Sequence, residues 1–367
     1  MNRRNFLKSS AAVPAAATLA SLPGLSRADA APWSDGASWN RYEVTTRVDL
    51  QRADGAARVW LPLPLTYETD WFKALNNSWS GNATSMRVIE EPKYGNAVFY
   101  AEWTQPVEQA YIEVTSSFAT RDRAINLALP RKFEPAERAV LERYLAATEY
   151  MPTDGIVRDT AQKAVKGART EVDKVRGIYE WIVENTYRDP KTRGCGIGNV
   201  KAMFETGNFG GKCGDLNAAF VAMCRSVGIP ARDVYGIRVD ASKWGYKSLG
   251  VGSSNITRAQ HCRAEVYLAA RGWVPMDPAD VRKVVLEEPP GNLRINDDKV
   301  ILAREKLFGA WEMNWLAFNF AHDVKLPNGQ GAPIAFLMYP NAETADGRKD
   351  SLDPDSFKYQ ITSKKLA

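Results

Sequence analysis

Four cysteines and two histidines are the chain's stock of thiol nucleophiles and neutral-pH bases. One cysteine stands apart by its neighbours. Gly210-Gly211-Lys212-Cys213-Gly214-Asp215 leads into Leu216, Ala219, Phe220, Met223, Cys224 and Val227. That apolar series has helical spacing, and Gly228 and Pro230 end it. Cys213 is therefore expected at the N-terminus of a buried helix with a glycine-rich approach. A thiol attacks only as thiolate, and a free one titrates at about 8.5. Unpaired N–H groups at a helix start and the adjacent Lys212 both favour the anion. Such a nucleophile needs a base within hydrogen-bond reach and a third group to hold the base. His261 begins an alternating run that ends at Leu268. Trp273-Val274-Pro275-Met276 returns after Ala270-Arg271-Gly272 and ends on Asp277. Two such antiparallel strands bring imidazole and carboxylate to one face, with Arg263 and Glu265 on His261's side and Cys262 facing away.

Each residue alone has an ordinary explanation. A buried cysteine is usually a small inert hydrophobe, which suits Cys195, Cys224 and Cys262. A single histidine near a strand is more often structural, and an aspartate before proline is a good turn residue. Order and spacing together single out Cys213, His261 and Asp277 as a triad for acyl transfer. The thiolate attacks an amide carbonyl, the imidazole moves the proton, and the carboxylate orients it. The Cys213 backbone N–H is the first candidate oxyanion donor and the Asn208 side chain the second. Lys212, Arg263 and Glu265 are expected to line the substrate cleft. His322, near Trp311, Trp315, Asn319 and Asp323, ranks below His261 and is expected partly exposed on a strand that closes the core.

Other chemistries find no support. There is no CxxC pair and no HExxH, so no metal is expected. Gly207 to Cys213 looks like a phosphate loop, but Thr206 stands where its first glycine should be and Cys213 where its Ser/Thr should be. No cofactor is expected. Cys224 lies about 16 Å along the same helix from Cys213, too far to bridge. At most one disulfide remains open among Cys195, Cys224 and Cys262.

The elements around this constellation divide the chain. Residues 40–120 alternate as strands and suggest a small β-sandwich without His or Cys. After Leu129-Pro130 the pattern turns helical. Pro135 opens a helix over 136–147, and Thr153 or Asp154 caps the next segment. Val172, Val175, Ile178, Tyr179 and Ile182 then mark a buried helix face ending at Asn185. An aromatic segment over 311–320 and strands near 335–339 and 359–361 finish the chain.

The net charge is +5 over 367 residues. Arg3, Arg4, Lys8 and Arg27 against Asp29 account for three of these charges, and the remaining +2 argues against a nucleic-acid partner. Arg3-Arg4-Asn5-Phe6-Leu7-Lys8, a mild apolar stretch to Leu25 and Ala28-Asp29-Ala30 resemble a twin-arginine export signal, with cleavage after Ala30. The apolar stretch is too short for a membrane anchor, so stable membrane insertion is not expected. The mature protein is expected in the periplasm or outside the cell.

The chain resembles the transglutaminase-like superfamily over residues 140–345. Gly-Gly-Lys-Cys213-Gly-Asp-Leu-Asn matches that family's nucleophile helix. His261-Cys-Arg-Ala-Glu265-Val-Tyr and Gly-Trp273-Val-Pro-Met-Asp277-Pro match its His and Asp strands, in the family's order. Ile178-Tyr-Glu-Trp181 through Tyr187 and Met151-Pro152-Thr153-Asp154 match as well. The resemblance implies an α+β fold, a papain-like or transglutaminase-like core preceded by a small β-sandwich. The expected division is a signal over 1–30, the sandwich over 40–120, the catalytic core over 135–345 with its motifs in 165–285, and a C-terminal strand and tail over 346–367. It also implies a cofactor-free enzyme that forms a thioester on a protein or peptide substrate, such as a cell-envelope peptide. Water would make it a peptidase or amidase, and an amine a protein-glutamine transferase. The chain departs from the family at Arg263, where an aromatic residue is usual; the resemblance places that position at the cleft edge, so the departure implies a preference for an acidic group. A binding module with a retired triad is the reading from another class.

Overall fold

The computed structural model describes residues 38–50, 55–66 and 68–367; the export signal and its cleavage site lie outside them. The chain begins with long strands, β1 (Asn40–Asp49), β2 (Ala57–Pro62), β3 (Phe72–Gly81), β4 (Ser85–Glu90), β5 (Ala97–Trp103) and β6 (Tyr111–Thr120), then a two-residue β7 (Arg123–Ala124). β6 shows why these segments are strands. Ile112, Val114, Ser116 and Phe118 alternate inward while Tyr111, Glu113, Thr115 and Ser117 are half-exposed.

The helical part is laid around one element. α1 (Arg138–Arg143) is shorter than the expected 136–147, and Tyr144 after it turns into the core against Trp273. α2 (Gly155–Ala164) follows Asp154. α3 (Glu171–Asn185) starts at a reciprocal cap between Thr170 and Asp173 and buries Val175, Ile178, Tyr179, Ile182 and Val183. Short parallel strands β8 (Tyr187–Arg188) and β9 (Gly210–Gly211) flank α4 (Val200–Thr206) and lead into α5 (Cys213–Ser226). α5 is buried from Cys213 to Arg225. It packs Ala219, Ala222 and Met223 into the same core as Ala264, Val266, Val274 and Met276. Those residues belong to an antiparallel sheet of β10 (Ala231–Arg238), β11 (Gln260–Leu268) and β12 (Gly272–Met276), followed by α6 (Pro278–Glu287), α7 (Asp298–Lys306), β13 (Ala310–Trp311) and β14 (Trp315–Asn319). The strand order is β12-β11-β10-β14. The hairpin expected to carry His261 and Asp277 is β11–β12, paired Leu268 to Gly272 through Ala264 to Met276.

The chain then returns to its beginning. β15 (Asn341–Thr344) pairs with β2, β16 (Gly347–Arg348) with β15, and β17 (Lys358–Leu366) with β1 along its length. The sandwich thus comprises sheets β17-β1-β6-β3 and β16-β15-β2-β5-β4, closed over Val48, Val59, Leu61, Phe99, Trp103, Ile112, Val114, Ala342 and Phe357. Residues 341–344, grouped with the core in the sequence reading, hydrogen-bond into the sandwich. The strand expected near 335–339 is an irregular segment that buries Phe336, Leu337 and Met338. Its apolar content comes from burial and not from pairing. Further along the same face of the β1 sheet, Tyr42, Val44, Phe72, Phe118 and Ile361 leave the sandwich interior and join a second core with Val234, Ile237, Trp311, Trp315, Cys213 and Leu216. The sandwich therefore backs the β10–β11 sheet directly.

Candidate active site

Cys213 is the first residue of α5, and Lys212 precedes it in extended conformation. The approach loop is tied down by Asp215. Its carboxylate accepts from Ile197 N–H (3.1 Å), Gly198 N–H (3.0 Å) and Lys212 N–H (3.0 Å). Glycine is required at 196 and 211, because an added Cβ would sit 1.8 and 2.6 Å from Asp215 atoms. Among the described residues no acceptor takes the Cys213 backbone N–H. It is left available for the oxyanion role for which the sequence makes it the first candidate.

His261 stands near the open end of β11, buried to 3% exposure. Its Nε2 lies 2.8 Å from Asp277 Oδ2 and 3.3 Å from Asp280 Oδ2. With Nε2 engaged by two carboxylates, Nδ1 is the nitrogen left for a thiol. Asp277 caps α6 by accepting from Asp280 N–H (3.1 Å). Its Oδ1 also accepts from Asn217 Nδ2 (3.2 Å), which donates as well to Cys262 O (2.9 Å). Arg238 donates to both oxygens of Asp280 at 2.6 Å. The imidazole is thus held by a buried array of Asn217, Asp277, Asp280 and Arg238.

The electrostatics separate the groups. The neighbouring Cys195 and then Cys262 thiols stabilise the Cys213 anion and push its thiol well below the usual thiol range, with further help from His261 against the cost of burial. Burial and Arg238 pull His261 down, but Asp280 and Asp277 outweigh them and lift it to about 9. Desolvation and the neighbouring Asp280 raise Asp277. Asp280 goes well below the ordinary carboxylate range despite burial, because Arg238 and His261 face it. These shifts favour a thiolate–imidazolium pair at neutral pH.

Cys213 and His261 open onto one cavity of about 510 Å³. Lys212 lines it, as expected. The other three expected lining residues do not. Asn208 is exposed and absent from the cavity wall; its Oδ1 accepts from Tyr187 Oη (3.0 Å) and Gly210 N–H (3.1 Å), which ties it to β8 and β9. Arg263 is 1% exposed, donates to Glu312 O (2.9 Å), lies 3.7 Å from Asp277 and stacks over Trp315. It backs Asp277 and cannot edge the cleft. Glu265 is fully buried between Arg232 (2.7 Å) and Arg123. Alternation holds along β11, but the Arg263 and Glu265 face is covered by aromatic residues and arginines. The opposite face receives α5, and so Cys262 lies beside Cys213. His322 is buried, not partly exposed, and contacts Tyr235 Oη (3.1 Å) and Asp233 (3.2 Å).

Sequence reasoning did not single out Asp280, Arg238 or Asn217. Asp280 carried a signal, since carboxylates at a helix N-cap and three residues on are drawn to the same end. Arg238 and Asn217 carried none. Two residue sets cluster closely enough for a cation among the described residues. These are His261 with Asp277 and Asp280, and Cys195 with Cys213 and Cys262. The carboxylates of the first already face Arg238 and Arg263.

Residues 158–278 match the family model for the transglutaminase-like superfamily, which takes in α5, β11 and β12 with all three candidate residues. The chain belongs to the transglutaminase-like superfamily. Residues 1–20 match the twin-arginine translocation signal, and the protein is exported to the periplasm or extracellular space. No helix among the described residues is long and apolar enough to cross a membrane. An uncharacterized protein of Haemophilus influenzae is 37% identical over 342 residues, 89% of this chain and 91% of that protein. The crystal structure of a candidate cysteine protease from Cytophaga hutchinsonii aligns with a TM-score of 0.51 at 13% identity, over 89% of this chain and 98% of that one. The periplasmic domain of TgpA from Pseudomonas aeruginosa aligns with a TM-score of 0.34 at 13% identity, over 70% and 92%. The superfamily assignment makes this a cysteine-dependent enzyme on an α+β fold.

Proposed function

We propose that the protein is an exported amide hydrolase that works through a Cys213 thioester. The carrying observation is the pairing of a depressed thiol at a helix N-terminus with a histidine whose Nε2 is committed to Asp277. Cys213 attacks the carbonyl, and its oxyanion meets the Cys213 N–H. The imidazolium gives its proton to the departing amine, and then takes one from the water that resolves the thioester. Asp277 and Asp280 hold the ring and stabilise its charge throughout.

The cavity lining supports an acidic peptide as substrate. Six cationic side chains line it, Arg188, Arg193, Lys212, Arg238, Arg258 and Lys283, and no carboxylate does. Four of them have partners, Glu287 for Arg188 and Lys283, Asp350 for Arg193, and Asp280 for Arg238. Among the described residues neither Lys212 nor Arg258 has an ion pair. A carboxylate near the scissile amide would meet them in a partly enclosed, low-dielectric site. The acidic preference first attached to Arg263 thus rests on Lys212 and Arg258.

The test is acylation by a matched pair of activated amides, with and without a carboxylate beside the carbonyl. A mass adduct on the native protein, absent from Cys213→Ala, is expected, with the anionic donor reacting faster. Lys212→Ala and Arg258→Ala should each erase roughly tenfold of that preference. An unlabelled native protein, or equal rates for both donors, would sink the corresponding half of the proposal. Release of free acid in preference to an added amine distinguishes hydrolysis from transfer.

A further inference from the structure

Three of the four cysteines meet at one point. The Sγ atoms of Cys195, Cys213 and Cys262 lie within 4.8 Å of one another. A fourth sulfur is close by, Met338 Sδ at 3.9 Å from Cys262 Sγ. These sulfurs come from four separate segments: the loop before α4, the start of α5, β11, and the irregular stretch before β15. Acyl transfer needs one thiol. It does not explain two more and a thioether.

We propose that Cys195, Cys213, Cys262 and Met338 form a binding site for one soft monovalent cation, of which Cu(I) is the representative, and that occupancy silences the nucleophile. The donor chemistry is the first argument. Thiolates and thioethers are the ligands that select Cu(I) from harder ions. Metal–sulfur bonds of about 2.3 Å place the sulfurs of a trigonal set roughly 4 Å apart, so the observed cluster closes on an ion with small shifts. Met338 adds a ligand suited to copper and poorly suited to Zn²⁺, which takes Cys, His and carboxylate.

The second argument is that the backbone holds the sulfurs in place. Gly214 N–H donates to Cys195 O (2.8 Å), Asn217 Nδ2 to Cys262 O (2.9 Å), and Cys195 N–H to Tyr339 Oη (2.9 Å), one residue from Met338. A Cβ at Gly214 would meet Cys195 O at 2.7 Å and Cys262 Sγ at 3.6 Å, so glycine there lets the two segments close on α5. Charge is the third. Binding releases the Cys195 and Cys262 protons to solvent through the cavity, and the three thiolates around a monovalent cation then carry a net negative charge. Lys212 and Arg258 in the same cavity, together with the N-terminus of α5, oppose it. Cys195 and Cys213 line the cavity and give the ion its entry, while Cys262 is fully buried behind them.

The experiment titrates the full mature protein, reduced and anaerobic, with Cu(I) against the chromogenic competitor bicinchoninate. One copper per chain is expected to be held against the competitor. Cys195→Ser and Cys262→Ser should each weaken binding roughly 10- to 100-fold, Met338→Leu should weaken Cu(I) but not Zn²⁺, and Cys224→Ser should change nothing. Acyl-donor labelling of Cys213 should vanish on loading and return when a copper chelator is added. No retained copper, equal retention in Cys195→Ser and Cys262→Ser, labelling that persists in the loaded protein, or a disulfide between any two of the three thiols in the native exported protein would overturn the proposal. Absence of labelling in the copper-free protein would strike the proposed hydrolase alone, because the competitor titration reads the ion site without it.

Discussion

The chain's two histidines occupy sites that look alike in outline. His261 and His322 are both buried, and each has a fully buried aspartate about 3 Å from Nε2. The surroundings differ. His261 has a second carboxylate, an arginine behind that carboxylate, and a cavity shared with a depressed thiol. His322 has Tyr235, which stacks on Phe336, and no place on the wall of the Cys213 cavity. A buried His–Asp contact is thus a packing device in one place and a candidate proton relay in the other. The thiol and the open cavity decide which.

The largest expected effect breaks this comparison outright. Cys213→Ala should abolish the acyl-enzyme adduct and lower kcat/KM by on the order of 10³-fold or more, whereas His322→Phe should leave kcat/KM within about a factor of two. Comparable losses in both would show that the comparison is drawn wrongly. Asp277→Asn comes next. It should cost roughly 10²- to 10⁴-fold in kcat with thermal stability largely retained, and Asp233→Asn should leave kcat unchanged.

The third prediction concerns pH. The active pair needs a thiolate and an imidazolium. Activity should rise as pH climbs through the depressed Cys213 value and fall through about 9, where His261 loses its proton. Asp280 raises the histidine, so Asp280→Asn should move the alkaline limb to lower pH in a kcat/KM profile. A limb that stays in place would mean the loss falls on another group. The smallest effect reverses the roles. In urea denaturation His322→Phe should cost about 1–3 kcal/mol, because Asp233 then loses its nearest partner while buried.

Cys213, His261 and Asp277 were legible because their signals are local. A glycine-rich helix start, a hairpin with alternating strands and a capping aspartate before proline each act within a few residues. Arg263 and Glu265 show where this ends. Alternation correctly places them together on one face of β11, but it is silent on what covers that face. Here Trp311, Trp315, Arg123 and Arg232 do, and the cavity lies at the strand's end. The partners of β15 and β17 were illegible for the same reason, since pairing across the whole chain leaves no mark on either strand alone. The gathering of Cys195, Cys262 and Met338 around the nucleophile is likewise a product of packing between distant segments.

One edge of β1 pairs with β17 from Arg41–Leu366 to Asp49–Lys358, and the segment leading into β17 supplies Leu352 and Phe357, and β17 itself Tyr359, to the cavity wall. On the ribosome that edge waits without its partner until almost every residue described here has been made. Contacts so distant in the chain also form slowly. The nucleophile's chamber therefore cannot be walled in during synthesis. Closure of the chamber only after synthesis is compatible with the twin-arginine signal at residues 1–20.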